Sequence, residues 1–375
     1  MLFLLSAAFF IGSAFTITDY KERILGWGSV LVSQYTRPMM CETQCRAYGT
    51  EALPKGIISE TSNLEMRPLW GQQNKKFPES DFVVMLFHYD GIVDQWKDFE
   101  WNDRAIHVAA VNQTKWWFAK RFLHPDIVSE YSYIFLWDED LGVDHFDAKR
   151  YQTDNLAVVQ LTWCNMASPR ASICEAMSAS RATLSKKSKY LSIVKKEGLE
   201  ISQPALDPEK SELHHPITRR DKDSTVHRRT YAVIGKTRCN ENSTGPPCTG
   251  FVEMMAPVFS IASWRCAWHM VQSDLVYGWG LDFELGYCAQ ATFGDRTQKI
   301  GIVDAEYVVH NALPTLGGVA AKKVQSSSNE TDVRSMVIKQ SYAELETFKS
   351  RWRRAVKQDS CWFDRLQQYT KRSPR

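Results

Sequence analysis

Between residues 81 and 140 three apolar runs follow one another, each of strand length and each closed by polar residues. "DFVVMLFHYDG" (81–91) ends in an Asp-Gly turn signal, "RAIHVAAVN" (104–112) reads as a second strand, and "SYIFLWDED" (132–140) runs straight into three acids. Uniformly apolar runs of this kind predict strands covered on both faces. Between the second and third, "KWWFAKRFLHPDIVSEY" (115–131) carries helical spacing through Trp117, Lys120, Phe122 and Ile127, broken near Pro125. Downstream, "LEISQPALD" (199–207) and "TYAVIGKT" (230–237) predict two more strands, and "FVEMMAPVFSIASWRCAWHMVQ" turns helical after Pro257. "DFELGYCAQATF" predicts a short helix and "KIGIVDAEYVVHN" (299–311) a closing strand. Strands alternating with helices predict an α/β layer around a mostly parallel sheet.

Two stretches break this rhythm. Residues 152–189 have no clear period and are rich in Ser and Ala. They separate "FDAKRY" from "YLSIVKKEGLE", which read as one continuous helix when joined at a single tyrosine. This predicts an irregular insertion that loops out of a helix. Residues 18–66 also lack a period and read as a stem, so the globular α/β domain is expected over 67–320, with a linker and a basic helix over 321–375.

The first 17 residues, "MLFLLSAAFFIGSAFTI", carry no charge, and Asp19, Lys21, Glu22 and Arg23 stop the run sharply. A signal anchor, a signal peptide and a buried helix all fit it. The sharp stop favours the anchor, whose basic flank would then precede Met1.

Composition narrows the partners. The 375 residues are 44% apolar and 24% charged, ordinary for a globular protein. A formal net charge of +3 with scattered basic residues gives no footprint for a nucleic-acid polymer. The Arg- and Lys-rich C-terminal segment reads as a solvated helix face. Of the nine cysteines, Cys41 pairs in spacing with Cys45, Cys239 with Cys248 and Cys266 with Cys288, without the double C-x2-C of a zinc site. "RCNENSTGPPCTG" reads as a loop closed by a disulfide and holds the Asn242 sequon; Asn112 and Asn329 head two others. These features fit a secretory-pathway lumen.

The acids that end the third strand carry the candidate chemistry. In an open α/β sheet, ligands bind at the carboxyl ends of the strands. Residues two apart in an extended segment share a side, so Asp138 and Asp140 can share one hard cation, Mg²⁺ or Mn²⁺, with Glu139 facing away. A bare D-x-D also fits a strand-end turn with solvated acids. A second acidic motif, "YGWGLDFELGY" (277–287), places Trp279 and Gly280 in a turn suited to stacking and close backbone approach. Asp282 or Glu284 then opens a helix, either as a simple cap or as a general base for an acceptor hydroxyl. Cap geometry favours Asp282 facing the cleft. His310, at the end of the closing strand, is a candidate third metal ligand.

Together these elements resemble GT-A glycosyltransferases: an apolar strand ending in D-x-D, a later Trp-Gly-Leu-Asp helix start, and a late strand ending in His. The resemblance implies that Asp138, Asp140 and His310 hold a cation on the diphosphate of a nucleotide-sugar donor. It also implies that Asp282 serves a glycan or other hydroxyl acceptor. At the level of whole phrases, "FHYDG", "NQTKWWFAKRFLHPD", "FLWDEDLGVDHFDAKRY" and "GLEISQPALDP" look like a plant family of uncharacterised proteins labelled lysine-ketoglutarate reductase trans-splicing related. Its members imply a single-pass membrane protein of the Golgi or a neighbouring compartment. The chain departs from that family at 152–189. It also lacks a strand and helix that the family places between "RPLWG" and "KKFPES", the first strand in a GT-A reading. A non-catalytic membrane-tethered binding protein that keeps the fold is the alternative.

Overall fold

The apolar runs become strands where the pattern places them. The computed structural model describes residues 46–58, 82–99, 102–146, 157–163, 189–234, 237–293, 295–311 and 333–364; the N-terminal apolar run lies outside them. In chain order the elements are β1 (Phe82–His88), β2 (Ala105–Ala109), α1 (Lys115–Phe122), β3 (Tyr131–Leu136), β4 (Leu141–Gly142) and β5 (Ala157–Trp163). Then follow α2 (Lys189–Glu197), β6 (Ile201–Leu206), β7 (Val226–His227), β8 (Val233–Ile234), β9 (Thr237–Arg238) and β10 (Val258–Ser260). The chain continues through α3 (Ile261–Met270), α4 (Leu281–Phe293), α5 (Arg296–Lys299), β11 (Ile300–His310) and α6 (Val333–Gln358). Among the described residues no helix is long and apolar enough to cross a membrane.

The fold is mixed α/β. One sheet runs in the order β2-β1-β5-β3-β10-β6-β11-β4, with β7 also on β11. Its six long strands, β1, β2, β3, β5, β6 and β11, all point one way. The β1/β2, β1/β5, β3/β5 and β6/β11 pairs are parallel, and β10 runs against both β3 and β6 between them. The carboxyl ends of β3 and β11 therefore lie on the same edge. The expected strand at 230–237 is instead the small β8/β9 hairpin outside this sheet.

Alternation along β3 explains its uniform apolarity. Ile134 and Leu136 join a core with Phe118 of α1, Phe259 and Trp264 on one face. Tyr133, Phe135 and Trp137 join Tyr190 of α2 and Leu206 on the other. Thr114 caps α1 by accepting from the Trp117 N–H, and Ser260 caps α3 by accepting from Ser263.

Three expectations are corrected. Residues 157–163 do not loop out: they form β5 between β1 and β3, with Val159 aligned to Val83 on one side and Ile134 on the other. "AVVQLTW" is a β-branched run of strand length, hidden by the Ser- and Ala-rich residues around it. Residues 46–58 are not a stem. Leu53 and Ile57 are buried in the core, Arg46 pairs with Asp359 at 2.8 Å, and Trp362 donates to the Ala52 carbonyl. Nor is the basic C-terminal helix wholly solvated: α6 buries Phe348, Trp352 and Ala355 in that same core, while Arg353 and Arg354 stay exposed. Its basic residues occupy the outer side of an amphipathic helix.

Two disulfides join described residues. Cys239–Cys248 closes a nine-residue separation and Cys266–Cys288 ties α3 to α4. Both match the spacing pairs in the sequence, and disulfides of this kind point to an extracellular or secretory-pathway domain. Cys41 and Cys45 lie outside the described residues.

Candidate functional site

The D-x-D lies where β3 leaves the sheet. Asp138 still follows the strand, its N–H donating to the Met255 carbonyl at 2.9 Å. Its side chain turns to the α1 face, where Lys115 Nζ meets Asp138 Oδ1 and also donates to the Met254 carbonyl. The backbone then turns at Glu139–Asp140, so the two-residue alternation expected of an extended segment stops there. β4 pairs antiparallel with β11, setting Leu141 opposite His310 and Gly142 opposite Val309. This pairing delivers Asp140 to the end of β11, where His310 Nε2 lies 3.3 Å from Asp140 Oδ2. Asn311 locks the junction, donating from its backbone N and its Nδ2 to the Asp140 carbonyl at 3.0 and 2.9 Å.

Each acid of the D-x-D thus faces its own internal cation. Burial raises the Asp138 pKa and Lys115 opposes the rise; the side chain keeps 32% exposure, so its desolvation is partial. Burial would lower His310, but the hydrogen bond and charge of Asp140 hold it up, to about 9. His310 Nδ1–H donates to the Glu212 carbonyl at 3.1 Å, so both ring nitrogens carry protons while Asp140 is the partner. Glu139 Oε1 has no hydrogen-bond partner, and burial followed by the Asp138 charge pushes this carboxyl well above the usual range.

The donor set fits a hard cation in part. Two ligand atoms at ~2.1 Å from one metal and at right angles lie roughly 3 Å apart, close to the Asp140–His310 separation. The Glu212 carbonyl on Nδ1 fixes the orientation of the ring, as such contacts do for imidazoles that bind metals. Asp138, however, is engaged by Lys115, and among the described residues no three His, Cys, Asp or Glu are gathered around a point. Mg²⁺ or Mn²⁺ takes one or two protein groups and completes its shell with phosphate oxygens and water, so the pair is sufficient for such an ion.

The second acidic motif lies on α4. Gly278 (φ +71°) and Gly280 (φ +95°) flank Trp279; a Cβ on the first would strike the Trp116 ring, and one on the second would strike Leu345. Trp279 is 38% exposed and meets Tyr342 of α6 edge-on at 5.0 Å. Asp282 Oδ1 accepts from the Phe283 N–H at 3.1 Å, and burial pushes its pKa up to about 7 against the neighbouring backbone N–H groups. Glu284 is also pushed up to about 7 by burial, and the charges acting on it are Arg296, Asp364 and Asp282. The charge acting on Asp282 is that of Lys349 on α6, and Asp282 in turn raises Glu253 and Glu284.

Between the two motifs stands Glu253, which the sequence reading passed over. It is 3% exposed, and burial pushes its carboxyl up to about 8, with His310 drawing it down and Asp282 raising it further. Its carboxyl thus feels a charge from each motif, His310 beside the D-x-D and Asp282 on α4. The signal was in the sequence: a lone acid inside the apolar run "FVEMMAPVF". Lys115 left a signal too, since a cation at the first position of a helix opposes the macrodipole.

Fold and site together define a mixed α/β protein with a charge-compensated acidic centre at the carboxyl edge of its parallel strands. The chain belongs to the family described as Protein of unknown function (DUF707), which matches residues 72–175 and 181–358. That match runs through β5 and α6, both of them parts of the fold. No curated protein and no solved structure matches the chain.

Proposed function

We propose that this chain is a metal-dependent glycosyltransferase of the GT-A type, acting on a nucleotide-sugar donor and a glycan or other hydroxyl acceptor. The observation that carries the reading is the meeting of Asp140 and His310 at 3.3 Å, with Asp138 two residues away on the α1 face. Asp140 and His310 would hold Mn²⁺ or Mg²⁺, with Asp138 as the third group once Lys115 shifts. The bound ion supplies charge neutralisation of the leaving diphosphate. Lys115, released from Asp138, adds a positive charge beside the same anion. Trp279 and Gly280 line the acceptor side, and Asp282 takes the acceptor proton if the anomeric centre inverts. The disulfides and the Asn242 sequon support a lumenal setting, for which a Golgi membrane protein anchored by residues 1–17 is the fuller reading.

The test is calorimetric titration of UDP and GDP into the protein with Mn²⁺. Binding that requires Mn²⁺ and weakens at least tenfold in Asp140→Asn and His310→Ala is expected. Absence of any nucleotide binding by the native protein overturns the proposal. A second reading, a non-catalytic membrane-tethered binding module, draws on the internal compensation of both acids by Lys115 and His310. Replacing Asp138 and Asp140 by Ala separates the two, because a module keeps its ligand binding and an enzyme loses it.

A further inference from the structure

Buried polar atoms without partners mark places where a ligand or an ordered water belongs. Four such atoms belong to three residues that meet at Glu253: both carboxyl oxygens of Glu253, Nε2 of Gln203 and Nδ1 of His215. Their proximity is set by backbone contacts. The Glu253 N–H donates to Gln203 Oε1 at 2.7 Å, and the His215 N–H acts on the Glu253 carboxyl without completing a hydrogen bond to either oxygen. The three residues come from β6, the loop after it and the loop before β10, so no single element's local geometry accounts for the cluster. Phe251 and Phe283 pack on the His215 ring at 4.7 and 6.2 Å and hold it in place.

The chemistry of this set selects its ligand. A divalent cation needs ionised oxygens, and a phosphate needs positive charge. Here a carboxyl held protonated by burial, an amide N–H₂ and a neutral imidazole offer donors and acceptors without net charge. Hydroxyl groups, which both donate and accept, are the complement. We propose that Glu253, Gln203 and His215 form the subsite for the sugar ring of the nucleotide-sugar donor, recognising its hydroxyls. The inference rests on the glycosyltransferase reading and deepens it by assigning the sugar to this wall. The charged groups facing Glu253 are His310 on β11 and Asp282 on α4, one from each half of the site.

The test uses the full-length protein with Mn²⁺ and measures UDP and GDP against UDP-glucose, UDP-galactose, UDP-xylose and GDP-mannose by calorimetry. At least one sugar nucleotide is expected to bind tenfold or more tighter than its parent diphosphate. Gln203→Glu keeps an acceptor for the Glu253 N–H and replaces the unpaired amide N–H₂ with a second carboxyl oxygen; Glu253→Met removes the polar carboxyl at similar volume. Both are expected to erase the preference for the sugar while leaving diphosphate affinity within about twofold. Glu253→Met is also expected to raise the melting temperature, since an unpartnered buried polar group is destabilising. Equal binding of sugar nucleotides and diphosphates by the native protein overturns the subsite, as does an unchanged preference in both variants. No diphosphate binding at all overturns the glycosyltransferase reading itself, and the subsite with it.

Discussion

Asp140 and His310 face each other because β4 pairs with the last two residues of β11. The contact is 3.3 Å between Oδ2 and Nε2, and it is made by strands far apart in sequence. On the other side of the same turn, Asp138 is met by Lys115 from α1. A strand that ends in three acids is tolerable because the fold brings two cations to it. The same arrangement leaves the acids poised: an incoming ion or an anionic ligand must exchange with charges already there.

Lys115→Met leaves Asp138 and Asp140 close together with one cation between them. The lost pair is only partly exposed, at 9% for Lys115 and 32% for Asp138, so the expected loss of stability is about 2–3 kcal/mol. Urea unfolding measures it. Asp138→Asn in the same background is expected to recover most of the loss, because it removes the charge that Lys115 compensated. A single-variant loss under about 0.5 kcal/mol, the size of an ordinary surface change, contradicts this account.

His227 gives the fold a pH dependence of its own. Its Nδ1 lies 2.7 Å from the buried Asp304 carboxylate and its Nε2 lies 2.6 Å from the Ile217 carbonyl, so both nitrogens must donate. Burial opposes the charged ring, but Asp304 wins and the pKa is raised. A raised histidine contributes stability that is fully present below about 6.5 and lost as pH rises through the folded-state value. Stability measured by denaturant midpoint is expected to decline over that interval, and His227→Gln is expected to flatten the decline and lower the plateau beneath it. An unaltered profile in the variant excludes His227 as its source.

The Trp279 turn depends on its glycines. Gly278 has φ +71°, and a Cβ there would sit 2.5–2.8 Å from atoms of the Trp116 ring. Gly278→Ala must strain the backbone and displace an indole buried in the core, which is expected to destabilise by about 2 kcal/mol or more. Trp279 would shift with the turn, so any ligand that stacks on it loses affinity in the same variant. A control at the exposed Tyr342, replaced by Ala, is expected to leave stability within about 0.5 kcal/mol.

Much of the frame was legible because apolar period and run length report burial directly. β1, β2, β6 and β11 fall within the runs that predict them and β3 starts one residue ahead of its run, and the D-x-D and His310 lie at strand ends on a shared edge. What the sequence hid was non-local. The turn at Glu139–Asp140 depends on β4 pairing with β11, so the alternation rule that would place Asp138 and Asp140 on one cation fails there. Lys115 and Glu253 each broke a local preference, a cation at a helix start and an acid in an apolar run. Such breaks are where functional or strained sites are expected. β10, three residues long between two parallel strands, is too short for any period to reveal.

β5 offers the most direct check on the architecture. Val159 is the third of the seven residues of the strand, aligned with Val83 of β1 and Ile134 of β3, so its backbone sits inside a two-sided ladder. Proline cannot donate to such a ladder, and its ring excludes a neighbouring strand, so it is tolerated only at edges and bulges. Val159→Pro is therefore expected to destabilise by about 3 kcal/mol or more, or to leave the protein unfolded. Val159→Ile, which keeps a β-branched side chain, is expected to change stability by less than about 1.5 kcal/mol. If residues 157–163 looped out of the domain, as the Ser- and Ala-rich context suggests, both substitutions would fall within about 0.5 kcal/mol of the native protein. Equal, small effects would place another segment between β1 and β3 and would reopen the register of the whole sheet.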